Sequence, residues 1–292
     1  MKIHTIALIG KDASPAVADA LLTLLDHLRN INDGQLTVWV KAETAMALSV
    51  PEAAASFEKI AEFADVAIVI GGDGTLLSAA RRLAEHDVPL VGINQGRLGF
   101  MTDIARADML TAVDRLLAGE FTPDRRLLLD AQVWRGGQEV FQTFALNDVV
   151  VNKGDMGRLI EIEVRVDGEF LYVLRADGMI VATPTGSTAY ALSANGPILH
   201  PAVPGIALVP LCPHALTYRP ITISDNSRVD LMLVTPHDAS VHFDGQSHFD
   251  AQAGDTVRIA RSAHAVTLLH PPGYSYFAML REKLHWSSAP RH

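Results

Sequence analysis

The run Gly71-Gly72-Asp73-Gly74-Thr75 places a carboxylate inside a glycine-rich loop. Glycines let backbone N–H groups approach phosphate oxygens, and a helix that starts there adds positive potential. A carboxylate in such a loop repels phosphate. It makes chemical sense if Asp73 takes a proton from an attacking hydroxyl, or if it helps to place a metal ion. The competing reading is a plain turn in which Asp73 caps the next helix. Neither GxxxxGK[ST] nor GxGxxG occurs, so the Walker-A loop and the dinucleotide fingerprint are both missing.

Three further clusters carry polar chemistry. Asn147-Asp148 interrupts the apolar stretch ALNDVVV, where the pair can donate to and accept from vicinal ribose hydroxyls; alternatively it marks a strand-end turn. Asp177-Gly178 precedes Thr183-Pro184-Thr185-Gly186-Ser187-Thr188-Ala189-Tyr190, a run dense in hydroxyls. Pro184 and Gly186 set a turn there, Ser187 or Thr188 is placed to cap a following helix, and Tyr190 offers a stacking face for a base. Asp244-Gly245-Gln246 reads by itself as a turn.

The elements that must position these residues alternate in the first third. Ile6–Ile9 reads as a strand ending at Gly10, and Ser14-Pro15 opens an amphipathic helix over 15–29. Asp33-Gly34 turns into a strand at Leu36–Val40, and Pro51–Phe63 reads as one Ala-rich helix. Val66–Ile70 is apolar without alternation, as in a strand buried on both faces, and it leads straight into GGDGT and a helix over 76–85. A strand at 88–93, the loop 94–100 and a helix over 107–117 follow. This βαβα order predicts an open, doubly wound parallel sheet.

From about Arg125 the pattern becomes antiparallel. Hairpins are predicted at Arg135-Gly136-Gly137 and Asp167-Gly168, with further strands at 178–182, 206–211, 228–234, 240–244 and 256–260. One short helix is expected near 187–194, and a last helix over 274–284 carries Phe277, Leu280 and Leu284 on one side. The expected organisation is an α/β domain over 1–124, a mostly antiparallel β domain over 125–268, and a C-terminal segment, 269–292, with a terminal helix returning to the first domain.

The chain has 292 residues, 49% of them hydrophobic and 20% charged, which excludes disorder for most of its length. A net charge of −9 disfavours nucleic acid as a partner and means that an anionic substrate must be held by local N–H groups, isolated basic residues or a metal ion. No apolar run reaches the roughly 20 residues that span a membrane. The first residues read as a strand and not as a signal peptide, so the expected location is the cytoplasm. One cysteine, Cys212, rules out an intramolecular disulfide and reads as a small buried hydrophobe. The twelve histidines show no HExxH pair, and His242 and His248 have no standard ligand spacing.

GGDGT (71–75), GINQGRLGF (92–100), ND (147–148), ADGMIVATPTGSTAY (176–190) and DGQ (244–246), in this order, resemble the NAD kinase family. HPPGYSYFAMLREKLHW (270–286) looks like the C-terminal segment of its proteobacterial branch. GGDGT by itself is shared with lipid and sugar kinases, which form the alternative. The resemblance implies transfer of the terminal phosphate of ATP to the 2′-hydroxyl of the adenosine ribose of NAD. It implies Asp73 as catalytic base and NAD contact, with Gly71, Gly72, Gly74 and Thr75 forming the phosphate loop and Gly74 also touching NAD. Asn147 and Asp148 would hold ribose hydroxyls; many members carry Glu where Asp148 stands. Asp177 would contact NAD. Thr188, Ala189, Tyr190, Ala191, Leu192 and Ser193 would form the nucleoside pocket, and Gln246 would close it. Arg158 and Arg175 are the basic residues nearest these motifs. Arg175 and Asp177, two apart, should face one side of a strand, and Arg175 goes with a preference for NAD over NADH. The resemblance further implies a magnesium ion with no fixed protein ligand, and a homodimer or homotetramer in which Cys212 lies near a neighbouring subunit. An inactive NAD(P)-binding sensor is a third reading, opposed by the intact Asp73.

Overall fold

The computed structural model describes residues 2–10, 15–31, 35–96, 98–154, 159–234 and 239–286. The chain divides into two compact units, one formed by 1–125 with 266–292 and one by 126–265.

The first unit is built on a parallel sheet. Its strands are β1 (Thr5–Gly10), β2 (Thr37–Lys41), β3 (Ala54–Ala55), β4 (Val66–Ile70), β5 (Leu90–Asn94) and the short β6 (Ile104–Ala105). The order is β3-β2-β1-β4-β5, with β6 beside β5 and all pairs parallel. Helices α1 (Pro15–Asn30), α2 (Ala42–Ala47), α3 (Phe57–Phe63), α4 (Asp73–Leu83) and α5 (Met109–Leu117) connect them. Val17, Leu21, Leu24, Leu25 and Leu28 of α1 and Val113 and Leu116 of α5 join Ile6, Leu8, Ile68, Ile70, Val91 and Ile93 in one core. The other sheet face meets α4: a Cβ on Gly92 of β5 would lie 2.7 Å from Leu76 Cδ1. With both faces covered, β4 and β5 are buried throughout, which is why neither alternates.

Two expectations are corrected here. Pro51–Phe63 is not one helix: Pro51–Ala53 is a 3₁₀ turn and β3 follows. A new helix then starts at Phe57, because Ser56 Oγ accepts from Lys59 N and resets the N-cap. The helix after GGDGT starts at Asp73, not Leu76, so Asp73 and Gly74 lie in its first turn. The Ser14 cap and the Asp33-Gly34 turn lie outside the described residues.

The second unit is antiparallel. It contains β7 (Thr122–Arg135), β8 (Gln138–Ala145), β9 (Asp148–Lys153), β10 (Ile160–Val166), β11 (Glu169–Ala176), β12 (Gly178–Ala182), the one-turn helix α6 (Tyr190–Ser193), β13 (Gly205–Leu211), β14 (Ile221–Ser224), β15 (Val229–Leu233), β16 (Ala239–Phe243), β17 (Ser247–Ala251) and β18 (Thr256–His270). The chain enters this unit within β7 and leaves it within β18. One sheet runs β14-β13-β12-β9-β16-β17, and the other contains β11-β10-β15-β18 with the β7–β8 hairpin. Val149, Val151, Met179, Val181 and Phe243 of the first sheet share a core with Ile162, Val164, Leu174, Leu231 and Val257 of the second. The opposite face of the six-stranded sheet is covered by Ala191 of α6, with Leu199, over Val150, Ile180, Ala207 and Val209. Strands β12 and β13 are therefore buried at every position.

The strand expected at 256–260 runs on to His270, with Leu268 pairing in parallel with Leu90 of the first unit's sheet. Helix α7 (Tyr276–Lys283) lies in the first unit, where Lys283 Nζ sits 5.6 Å from the Phe100 ring centre. Its buried residues are Tyr276, Met279 and Leu280; Phe277 is 62% exposed, so the expected stripe of Phe277, Leu280 and Leu284 is rotated. Cys212 is exposed with φ of +43°, contrary to its reading as a buried hydrophobe.

Candidate functional site

Strand β4 delivers the chain to Gly71, whose N–H donates to Ile93 O at 2.9 Å, and Gly72 then stands as N-cap of α4 without a side-chain cap. Asp73 therefore does not cap its own helix. Its carboxylate turns to the loop after β5, where Oδ2 accepts from Phe100 N at 2.8 Å. Oδ1 accepts from Met101 N at 3.0 Å, Thr102 N at 3.1 Å and Thr102 Oγ1 at 3.1 Å. The fit depends on Gly99: a Cβ there would lie 2.0 Å from Asp73 Oδ1. A carboxylate oxygen has about two acceptor positions. Oδ1 is thus saturated, while Oδ2 retains capacity for one more donor. A Cβ on Gly72 or Gly74 would meet nothing within 4 Å, so these glycines are not needed for internal packing and leave the backbone open at the helix start.

A cleft of about 450 Å³ lies against this loop, lined among others by Gly10, Lys41, Phe57, Gly72, Gly74, Thr75 and Arg82. Arg82 stacks its guanidinium 3.6 Å from the Phe57 ring centre and stands 3.8 Å from Glu58, while Lys41 reaches Glu43 at 3.5 Å. Two cations thus line a cleft in a chain whose net charge is −9. The motifs alone gave no sign of Lys41 or Arg82, because Lys41 ends β2 and Arg82 sits on the third turn of α4, remote in sequence from each other.

In the second unit, Asn147 lies in the turn between β8 and β9 and Asp148 is the first residue of β9, so the pair stands at a strand start and does not interrupt a continuous strand. Asp244 holds this turn. Its Oδ2 accepts from Leu146 N at 2.8 Å, and its Oδ1 accepts from Asn147 N at 2.7 Å and Asp148 N at 3.0 Å. Its own N–H donates to Asp148 O at 2.9 Å, and its backbone takes φ of +56°. Asp148 is 5% exposed, and burial first, then the negative charge of Asp244, pushes its carboxyl up to about 7. Asp244 was visible in the sequence as part of a turn; its contact with residues almost a hundred positions away was not.

The hydroxyl-rich run seats on the same turn. Thr183 N donates to Asn147 O at 2.9 Å, Thr183 Oγ1 to Leu146 O at 2.5 Å, and Gly186 N to Thr183 Oγ1 at 3.1 Å. Gly186 is required by space, since a Cβ there would lie 2.0 Å from Asn147 O. Neither expected cap forms on the following helix. Ser187 Oγ donates to Pro184 O at 2.6 Å and accepts from Leu199 N at 2.9 Å; Thr188 Oγ1 donates to Thr185 O at 3.1 Å. These hydroxyls fix the turn itself. It carries half-buried Thr188, Ala189 and Leu192, buried Ala191, and exposed Tyr190 and Ser193. Gln246 is exposed beyond Asp244, its N–H donating to Phe243 O at 3.0 Å.

Arg175 and Asp177 do not share a strand face. Arg175 belongs to β11, is 62% exposed and stands 4.0 Å from Glu161. Asp177 is the link by which the chain changes sheet between β11 and β12, and it pairs with Lys153 Nζ at 2.6 Å. Lys153, at the end of β9, is the cation that this motif meets. Arg158 lies outside the described residues. Among the described residues no group of three or more His, Cys, Asp or Glu could hold a metal ion; His242 and His248 are cross-strand neighbours with ring centres 6.1 Å apart.

The ATP-NAD kinase N-terminal domain model matches residues 29–121, and the ATP-NAD kinase C-terminal domain model matches 146–270. The chain is 60% identical over 291 residues to the NAD kinase of Azoarcus sp. (strain BH72), covering 99% of this chain and 98% of that protein. Among solved structures, yeast NADH kinase complexed with NADH superposes with a TM-score of 0.92 at 23% identity, covering 99% of this chain and 89% of that one. An NAD kinase from Archaeoglobus fulgidus in complex with ATP gives a TM-score of 0.73 at 23% identity, with coverage of 96% and 98%. These two likenesses bear on the fold. The wider GGDGT alternative, a lipid or sugar kinase, gives way to the two domain models and the near full-length relative: this chain belongs to the ATP-NAD kinase family.

Proposed function

We propose that the chain transfers the terminal phosphate of ATP to the 2′-hydroxyl of the adenosine ribose of NAD, giving NADP and ADP. The observation that carries this reading is Asp73: a carboxylate at the first turn of a helix, held by three backbone N–H groups and one hydroxyl, with one acceptor position left on Oδ2. In this reading Oδ2 takes the proton of the 2′-hydroxyl as its oxygen bonds to the terminal phosphorus, and the bond from that phosphorus to the bridging oxygen breaks. The work of the protein is placement and charge compensation. Gly71, Gly72, Gly74 and Thr75 would present backbone N–H groups to the donor phosphates, with Gly74 also against NAD. Lys41 and Arg82 would offset the donor's charge from the walls of the adjoining cleft.

A divalent ion, magnesium, would be carried by the donor's phosphate oxygens and by waters, as magnesium ordinarily is. When bound, it would neutralise the phosphates. On the acceptor side, Asn147 and Asp148 would hold ribose hydroxyls, Asp177 would contact NAD, and Thr188, Ala189, Tyr190, Ala191, Leu192 and Ser193 would form the nucleoside pocket, closed by Gln246. Arg158 and Arg175 complete this set, with Arg175 biasing the choice towards NAD over NADH.

The enzyme is proposed to work in the cytoplasm as a homodimer or homotetramer. Among the described residues no helix is long and apolar enough to cross a membrane. The edge strand β11 exposes Phe170, Leu171 and Val173, an apolar edge that self-association would cover. The test is product analysis with NAD, ATP and magnesium. The reading requires NADP phosphorylated at the 2′ position, and Lys41→Met or Arg82→Ala should raise KM for ATP about tenfold while leaving KM for NAD in place. No NADP above blank at saturating substrates would overturn it.

A further inference from the structure

The loop that holds Asp73 is itself anchored where it ends, over residues 102–104. Asn94, 3% exposed, donates through Nδ2 to Thr102 O at 3.3 Å and to Ile104 O at 3.2 Å. Gly99 N closes the turn onto Thr102 O at 3.1 Å. Between these two carbonyls stands Asp103, the residue after the last donor to Asp73. Its Oδ2 meets Nδ1 of His270 at 2.8 Å, and the His270 and Asp103 side chains are 2% and 3% exposed. The imidazole lies between two carboxylates, with Nε2 3.3 Å from Asp124 Oδ2. It stacks on Tyr274 with ring centres 3.7 Å apart and planes within 4°. His270 is the last residue of β18, so a strand end grips the cradle through one side chain.

A histidine buried this deeply between acidic groups is costly unless its position is worth holding. The mechanism above assigns it no part. We propose that His270, through Asp103, is a positioning residue for Asp73: it fixes residues 100–102 so that their three N–H groups hold the carboxylate with Oδ2 aimed at the acceptor hydroxyl. Two hydrogen bonds in series then connect the C-terminal segment to the base. The inference rests on the reading of Asp73 as the base.

The test is amide hydrogen exchange on the full chain, with turnover measured alongside. His270→Ala should speed exchange at Phe100, Met101 and Thr102 by at least about tenfold and leave the α1 amides as they were. It should lower kcat by about a hundredfold, the scale of a misplaced reacting group, with KM for ATP and NAD within about twofold. His270→Asn, which keeps a donor at the Nδ1 position, should restore most of kcat. His270→Gln, which places its donor at the Nε2 position, should not. If His270→Ala fails to fold, the Asn and Gln pair carries the same contrast. Unchanged exchange at 100–102, a uniform rise across the unit, or equal kcat for the Asn and Gln variants would overturn the inference. Asp73→Asn turning over like wild type would instead sink the base reading and leave the exchange result standing, so the two failures are distinct.

Discussion

Asp73 in the first unit and Asp148 in the second are the same functional group in opposite surroundings. Asp73 is half-buried and receives four hydrogen bonds, so its oxygens are met by oriented donors. Asp148 is almost fully buried beside another carboxylate, and it is pushed up to about 7. The difference shows how environment assigns roles to identical side chains. In the proposed reaction the base must be pre-aimed, which the backbone donors achieve. A group that titrates near neutrality can instead donate or accept toward a hydroxyl. Asp244 sharpens the contrast: it satisfies three backbone N–H groups and raises its neighbour in the same act.

Asp244→Ala removes the acceptor for three N–H groups of the 146–148 turn. Each orphaned buried donor costs about 1–3 kcal/mol, so urea unfolding should show a loss of at least about 3 kcal/mol and KM for NAD should rise. An unchanged midpoint would remove Asp244 from the scaffold.

Next comes the pH dependence. Asp148 lies higher in the folded state than its ordinary 3.8, so the folded chain binds more protons than the unfolded one between 3.8 and about 7. Stability attributable to this group is fully present below the ordinary value and is lost as pH rises through about 7. At about 1.4 kcal/mol per pH unit, the loss amounts to a few kcal/mol. Asp148→Asn should flatten that slope and be the more stable form at pH 8, as read from denaturant midpoints at several pH values. A slope that survives the substitution would place the titration elsewhere.

The smallest effect is expected at Arg175, which is exposed and only loosely met by Glu161. Arg175→Gly should shift the ratio of NADH to NAD phosphorylation by a few-fold, the scale of a single exposed charge. A constant ratio would take Arg175 out of selectivity.

Much of the first unit was legible because VAIVI is short, β-rich and apolar throughout, as a buried strand is, and the glycines of GGDGT mark a turn before the helix. The antiparallel half was legible through its turns. What escaped was set by long-range packing. Ser56 splits an Ala-rich run that has no other reason to break. The strand 256–270 conceals its length because Ser262 and His264 disturb the apolar alternation, and because its last part enters a parallel sheet. The face of α7 was misjudged because Phe277, the most apolar of its aromatics, stays in solvent while Tyr276 is buried. Within the candidate site, the loop residues were visible, but the long-range contacts that support them were not: Asp244 meets the 146–148 turn, His270 meets Asp103, and Lys41 reaches the cleft from β2, each from a distant part of the chain.

In the proposed reaction the remaining acceptor position on Asp73 Oδ2 takes the proton of the attacking hydroxyl. Single-turnover NADP formation by Asp73→Asn, with ATP and NAD both saturating, tests it most directly. Asn keeps an oxygen for the donors of Met101 and Thr102, turns its NH2 towards Phe100 N, and has no basic lone pair of comparable strength. The rate should fall by about 10³-fold or more, with unchanged nucleotide affinity and an intact fold. A rate within a few-fold of wild type would contradict it.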